Sequence, residues 1–187
     1  MEAAGTTTIS TRDRLVAAAA AEFREHGFVG TDSNKIARRA GFAPQTFYRW
    51  FKDKTAMFIA VYRAWEDEER RVVGDLIARG AGDAAIVEAA IAHHRAYLIF
   101  RRSLRALAVD EPQVRAARAQ SRRRQVAQIA AWAGEGAPPE DWIAVRLLEL
   151  ERLSDAIAEG ELADMGLGDA AALARLAAIV AELRGGD

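Results

Sequence analysis

Residues 41–51, GFAPQTFYRWF, concentrate aromatic rings, a proline and a glycine in one short segment. Pro44 suits the first position of a helix, and Gly41 suits the turn that ends a preceding helix. On a helix that begins at Pro44, Phe47 and Phe51 lie four residues apart and share one face. The stretch therefore predicts the second half of a helix-turn-helix, with Phe47 and Phe51 in its core.

The opposite face of the same helix is largely polar, with Gln45, Tyr48, Arg49 and Lys52. Glutamine can form two hydrogen bonds with adenine, and arginine or lysine can bind phosphate or guanine. We interpret this face as a DNA-binding surface. The alternative is that Tyr48 and Trp50 only complete a small aromatic core.

The residues on either side of this stretch predict three further helices. A first helix is expected to begin at Ser10 or Thr11, and a second, capped by Thr31, to precede the turn. After the stretch, a helix capped by Asp53 is expected to continue to Gly80. Two short helices around a glycine-containing turn, with a long helix behind them, make a compact N-terminal unit.

Beyond the long helix, the apolar spacing predicts a helical bundle. One helix is expected over about residues 86–107, interrupted near 101–103, and another after Pro112. Two terminal helices are expected at about 140–159 and 168–184, and each carries apolar side chains on two sides. One side can be buried within the chain, and the other predicts pairing with a second copy in a two-fold homodimer.

The composition supports an all-α fold. The chain has 187 residues, of which 51% are hydrophobic, with only 4 prolines and 14 glycines. The absence of cysteine excludes disulfides and thiolate zinc sites. The first ten residues, MEAAGTTTIS, lack a basic start and an apolar stretch, and no apolar run has membrane-spanning length. We therefore expect a cytoplasmic protein with no membrane partner.

The net charge of −1 is unevenly distributed along the chain. Residues 1–60 hold 9 Lys and Arg against 6 Asp and Glu, a balance of +3, and residues 61–187 hold 17 against 21, a balance of −4. Only the part that touches phosphates must be positive. The N-terminal part is therefore compatible with a nucleic-acid partner despite the overall charge.

The N-terminal residues resemble the TetR/AcrR family of bacterial transcriptional repressors. The resemblance runs from Arg12 to about Val61 and rests on an ordered set of positions. These are Arg12, Ala18–Ala19, Phe23, Gly27, Thr31, Ile36–Ala37, Ala40–Gly41, Thr46-Phe47-Tyr48, Trp50-Phe51 and Asp53-Lys54.

The resemblance implies a ligand-responsive repressor that a small molecule releases from a near-palindromic DNA operator. It also implies a flexible tail at residues 1–10, a helix-turn-helix DNA-binding domain at 11–53 and a helical ligand-binding and dimerisation domain at 54–187. The alternative function is a helical small-molecule-binding protein or enzyme whose N-terminal helices are only scaffold. No phosphate-binding glycine loop or catalytic triad supports an enzyme.

The resemblance also implies which residues contact DNA. Thr31, Ser33 and Asn34 would do so from the start of the second helix, and Lys54 would bind a phosphate. The third helix would contribute Gln45, Thr46, Tyr48, Trp50 and, from its polar face, Arg49. The sequence departs from the family at Ser33-Asn34-Lys35, where an apolar, a basic and an acidic residue are commoner, and at Trp50, where Tyr or His is commoner.

A ligand site in the C-terminal part is expected among Trp65, His93, Tyr97, Phe100 and Trp132, where a few polar tips would line an apolar cavity. His93 could equally be a hydrogen-bonded core histidine. We expect no metal and no cofactor, because adjacent histidines point about 100° apart on a helix. Farther along the chain, the arginines at 115–124 are expected to form a solvated face, with Arg118 or Arg122 binding an anionic effector as the alternative.

Overall fold

The computed structural model describes residues 9–185, without the side chains of residues 132, 133 and 135. The fold is all-α, as predicted, and no strand occurs between residues 9 and 185. The chain divides into two compact units, one ending at Ala64 and the other beginning at Trp65. None of the helices in the described range is long and apolar enough to cross a membrane.

The N-terminal unit contains α1 (Thr11–His26), α2 (Ser33–Arg39), α3 (Pro44–Trp50) and the first turns of α4 (Lys54–Ala78). Helix α1 packs on α2, and α2 packs on α3. The interior of the unit consists mainly of fully buried apolar side chains, which include Leu15, Phe23, Ile36, Phe47, Met57 and Phe58. The ring of Phe58 meets Phe23 edge-on, with their centroids 5.1 Å apart. This core sets the position of the helix-turn-helix.

The predicted start of α2 is wrong by one residue. Asp32, not Thr31, is the N-cap, and its carboxylate accepts a hydrogen bond from the amide of Lys35 at 2.9 Å. Aspartate and threonine both cap helices well, so the sequence did not distinguish between the two neighbours. Ser10 caps α1, as one of the two predicted residues. Since Ser10 caps a helix, it is not part of a flexible tail, and residues 1–8 of that predicted tail lie outside the described residues.

The C-terminal unit contains the rest of α4 and six further helices. These are α5 (Asp83–Ala96), α6 (Leu98–Asp110), α7 (Pro112–Ala133), α8 (Glu140–Glu159), α9 (Glu161–Asp164) and α10 (Ala170–Leu183), with a 3-10 turn at Gly134–Gly136. Helix α8 packs on α5, α7 and α10, and α5 also packs on α10. The apolar core of these helices includes Ile86, Ile91, Ile157 and Leu176, and Leu76 of α4 packs against it.

Two boundaries differ from the prediction, and the two apolar sides of α10 can be told apart. The helix expected over 86–107 breaks at Tyr97, not near 101–103, so α5 and α6 are separate helices. On α10 the buried side includes Ala172 and Ile179, whereas Leu173 is exposed. The units divide within α4 rather than after Asp53, since the first turns of α4 belong to the N-terminal core.

Candidate functional site

The turn between α2 and α3 is held by a glycine and an arginine. Gly41 has φ 78°, in the left-handed region that favours glycine. The Arg14 guanidinium donates to the carbonyl of Ala40 at 2.9 Å and lies over the Phe42 ring at 4.5 Å. A side chain at position 41 would come within 3.3 Å of Arg14. The angle between the two helices therefore depends on a contact from α1.

Helix α3 buries one side and exposes the other. Phe47 is 0% exposed and Phe51 is 6% exposed, as the sequence predicts. Tyr48 is 59% exposed and Trp50 is 49% exposed, so these two rings do not complete a core. An exposed ring pair on a short helix leaves apolar surface in water, which is typical of a surface that binds a partner.

We name the exposed side chains of α3 the recognition face. It consists of Gln45, Tyr48, Arg49 and Trp50. Thr46, the other α3 residue implied by the resemblance, is half-buried. The face combines an amide, a hydroxyl, a guanidinium and an indole, all on one rigid helix. These groups can bind phosphate oxygens and base edges.

Helix α2 places its predicted residues at the edge of this face. Asn34 is exposed. Ser33 is half-buried, and its hydroxyl lies 2.7 Å from the hydroxyl of Tyr48. The Ser33 side chain therefore contacts α3 directly instead of standing free in solvent.

Thr31 has a structural role that the sequence did not indicate. It is 3% exposed, and its hydroxyl donates to the Glu22 carboxylate at 2.7 Å. Burial would raise the pKa of Glu22, but this bond and the nearby Arg39 guanidinium outweigh burial and lower it. The expected DNA contact of the Thr31 side chain does not fit this geometry, because the hydroxyl is enclosed and already donates its proton.

Lys54, the predicted phosphate ligand, bonds to the backbone of the N-terminal unit. Its ammonium donates to the carbonyls of Phe28 and Thr31, at 2.8 and 3.0 Å, and lies 4.1 Å from the centre of the Phe28 ring. Burial lowers the pKa of Lys54, against the attraction of Asp32. In this structure the side chain fastens the α1–α2 connection to the start of α4.

Arg14 and Arg39 support the site, although the sequence did not indicate this role for them. Arg39 donates to Glu25 at 2.5 and 2.7 Å and to Glu22 at 3.1 Å. Both arginines extend from exposed helix surfaces, so apolar periodicity carries no signal for them. Their partners are distant in sequence, and only the packing of α1 on α2 brings them together.

In the C-terminal unit, the structure brings together four of the predicted ligand residues. Trp65 stacks on His93 with ring centroids 5.1 Å apart, and His93 lies 5.0 Å from the Tyr97 ring. Phe100 lies 6.4 Å from both Trp65 and Tyr97. We name these four rings the aromatic cluster. The side chain of Trp132, the fifth predicted residue, lies outside the described residues.

His93 is incompletely hydrogen-bonded within the aromatic cluster. Its Nε2 atom is buried and has no hydrogen-bond partner among the described residues. Burial lowers the pKa of His93, although Glu69 opposes the shift. A buried polar atom without a partner is costly in a core and is available to a ligand.

Next to this cluster, charged side chains meet in the interior. Asp155 accepts from Arg101 at 2.6 and 3.0 Å and lies 3.0 Å from Nδ1 of His94, whose Nε2 lies 3.2 Å from Glu69. Arg105 donates to the same aspartate at 2.7 Å. We name these five residues the ionic cluster. Burial would lower the pKa of His94, but its two carboxylate partners outweigh burial and raise it, which favours the charged ring.

The arginines of α7 extend the ionic cluster. Arg118 and Arg122 both donate to Glu151, the former at 2.6 Å. An internal carboxylate therefore occupies the position that an anionic effector was expected to take, and these two arginines are not a simple solvated face. Within residues 9–185, no group of three or more acidic or histidine side chains is arranged to hold a metal ion.

Comparison with known proteins gives the same assignment for the N-terminal unit. Residues 15–61 match the family model of bacterial regulatory proteins, tetR family. A stretch of 69 residues is 32% identical to the uncharacterized HTH-type transcriptional regulator YdgC of Bacillus subtilis (strain 168). That stretch is 37% of this chain and 35% of the relative, so the match spans about a third of the curated protein.

Solved structures resemble the chain over nearly its whole length. One is a chain from Rhodococcus sp. assigned to the TetR family of transcriptional regulators, with a TM-score of 0.70 and 20% identity, covering 93% of this chain and 98% of that one. Another comes from Mesorhizobium loti MAFF303099, with a TM-score of 0.65 and 21% identity, covering 94% and 95%. Identities this low establish a shared fold for the helices beyond the family match.

Proposed function

We propose that this chain, whose residues 15–61 match the family model of bacterial regulatory proteins, tetR family, is a ligand-responsive repressor of that family. It binds a near-palindromic DNA operator in the cytoplasm and is released by a small molecule. The observation that carries the proposal is the recognition face, which exposes polar and aromatic groups on a helix whose other side is locked in an apolar core.

The chemistry of the recognition face supports DNA as the partner. Arg49 can bind guanine or phosphate, Gln45 can form two hydrogen bonds with adenine, and Trp50 can pack on the sugar-phosphate backbone. A helix used only as scaffold would have no need for an exposed tyrosine and tryptophan. This argues against the alternative, a small-molecule-binding protein with inert N-terminal helices.

The aromatic cluster supports a small-molecule effector. Its rings offer apolar surface, and Nε2 of His93 offers one hydrogen-bonding atom that has no partner among the described residues. Such a combination suits a mostly apolar ligand with a single polar group. A ligand that prefers a conformation other than the DNA-binding one lowers operator affinity, and the coupling free energy is typically about 1–3 kcal/mol.

A two-fold homodimer follows from α8 and α10. Val145, Leu148 and Leu173 are exposed on these helices, although Ile143 and Leu176 already fill the core. Association of copies would bury this second apolar surface, and two recognition faces could then contact half-sites about one helical turn of DNA apart. Sedimentation tests the dimer: we expect a dimeric wild type, and Leu148→Glu and Leu173→Glu should shift the protein toward monomers. A wild-type monomer at micromolar concentration would contradict the dimer.

The DNA proposal is tested by selecting fragments of genomic DNA upstream of the gene, followed by gel-shift titration. Arg49→Ala is compared with Arg71→Ala, which removes an equally charged, exposed arginine from α4. We expect Arg49→Ala to weaken binding at least tenfold and Arg71→Ala to change it little. Absence of any selected fragment, or equal losses in both variants, would favour the scaffold alternative.

A further inference from the structure

We propose that Ser33 positions Tyr48 for a phosphate of the operator backbone, and that it does so by donating its own proton to the tyrosine hydroxyl. This inference rests on the proposed function. It assigns Ser33 a role different from the direct DNA contact that the sequence implied, since its hydroxyl acts through Tyr48.

The geometry fixes the tyrosine at two points. The Tyr48 ring meets the Phe47 ring edge-on, with centroids 5.2 Å apart and planes at 73°, and Phe47 is completely buried. At the other end of the ring, the hydroxyl lies 2.7 Å from Oγ of Ser33. Most of the Tyr48 side chain nevertheless remains exposed. The ring is therefore held in one direction while its hydroxyl stays accessible to a ligand.

Ser33 is available for this task because its neighbours satisfy the start of α2. Asp32 caps the helix through the amide of Lys35, and the Lys35 ammonium donates to the carbonyl of Gly30 at 3.0 Å. Serine at a helix start usually competes for the cap itself. Here the cap is occupied by Asp32, so the Ser33 hydroxyl can turn toward α3.

The proton count gives the direction of the hydrogen bond once DNA is present. Two hydroxyl groups in contact share one hydrogen bond, which leaves one proton free. If Ser33 donates, the free proton is that of Tyr48, whose oxygen still accepts. A phosphate oxygen is an anionic acceptor and forms the stronger, charge-assisted bond with the exposed phenol. A chain from Ser33 to Tyr48 to phosphate also polarises each of its bonds.

The test is a double-mutant cycle on operator affinity, measured by fluorescence anisotropy at a temperature where every variant is folded. We expect Ser33→Ala and Tyr48→Phe each to weaken binding about fivefold, with the double variant no weaker than Tyr48→Phe alone. Ser33→Thr should restore affinity to within about twofold, because it keeps the hydroxyl. The control is Ser103→Ala, which removes a serine hydroxyl from α6 of the C-terminal unit, where it donates to the carbonyl of Ile99.

Two further readouts separate positioning from folding and from charge. The slope of affinity against salt should stay unchanged in Ser33→Ala, since no counterion-releasing cation is removed. The thermal midpoint of Ser33→Ala should remain close to that of the wild type. Effects that multiply in the double variant, or wild-type affinity in Ser33→Ala, would overturn the positioning role. Failure of the wild type to bind any selected fragment would instead overturn the proposed function.

Discussion

The two units of this molecule place their charges differently. Among residues 9–64 of the N-terminal unit the large buried side chains are apolar, and the buried polar residues are Glu22 and Thr31, which are bonded to each other. The C-terminal unit buries His94, Arg101 and Asp155, and the aspartate contacts each of the other two. Removing ions from water costs several kcal/mol each, and only close pairing offsets that cost.

This difference indicates which unit changes its stability with pH. An apolar core keeps one shape over a wide range of pH, which suits a unit that presents a rigid recognition face. A cluster of buried ions keeps its packing only while each partner keeps its charge. The ionic cluster is therefore the part of the chain in which loss or gain of a proton changes stability most directly.

The largest effect on stability is expected on α3. Phe47→Ala should destabilise the N-terminal unit by roughly 3–5 kcal/mol, because it removes a completely buried ring. The adjacent Tyr48→Ala should cost about 0.5 kcal/mol, yet abolish most operator affinity. Urea unfolding followed by circular dichroism measures both. Equal destabilisation by the two variants would mean that the outer rings belong to the core.

In the C-terminal unit, Arg101→Met should destabilise by on the order of 3 kcal/mol. It leaves buried carboxylates short of a partner and removes a cation that lies 4.7 Å from the Trp65 ring centre. Arg102→Met is the matched control, since Arg102 is 56% exposed on the same helix. Its thermal midpoint should stay near that of the wild type. A more stable Arg101→Met protein would show that apolar packing replaces the ions without loss.

We expect the pH dependence of stability in the C-terminal unit to be set by the titration of His94. Its folded pKa is raised, so its contribution is complete below the unfolded value of about 6.5 and is lost as pH rises through the folded value. The thermal midpoint should therefore fall on the alkaline side, and His94→Gln should flatten that fall, with a loss of roughly 1.5–3 kcal/mol at neutral pH.

His93 provides a control of opposite sign. Its folded pKa is lowered, so it costs stability as pH falls below the unfolded value. His93→Gln should improve stability on the acidic side and leave the alkaline fall intact. If both variants change the same limb of the profile, the two neighbouring histidines do not have the separate roles that their contacts indicate.

The smallest effect is expected at Lys54. Lys54→Met should destabilise the N-terminal unit by about 1 kcal/mol, because two backbone carbonyls lose their donor. The salt slope of operator binding should remain unchanged. A slope reduced by about 0.9 with no change in stability would restore the phosphate contact that the sequence implied.

The candidate site could be predicted where a residue's role depends on its own helix. Pro44 marked the start of α3, and the spacing of Phe47 and Phe51 identified its buried side. The contacts of Thr31 and Lys54 within the N-terminal unit could not be predicted, because their partners lie on other segments. Helix periodicity gives the direction of a side chain but not the group that it meets.

By itself, the sequence determined the helices, their approximate bounds and the inward face of α3, because propensity, capping and apolar spacing act over one or two turns. Which charges are paired depends on the tertiary packing. His94 and Asp155 lie 61 residues apart, and α5 must pack on α8 before they can meet. An ion pair in the interior forms only when packing removes water from both partners, and no local pattern records that event.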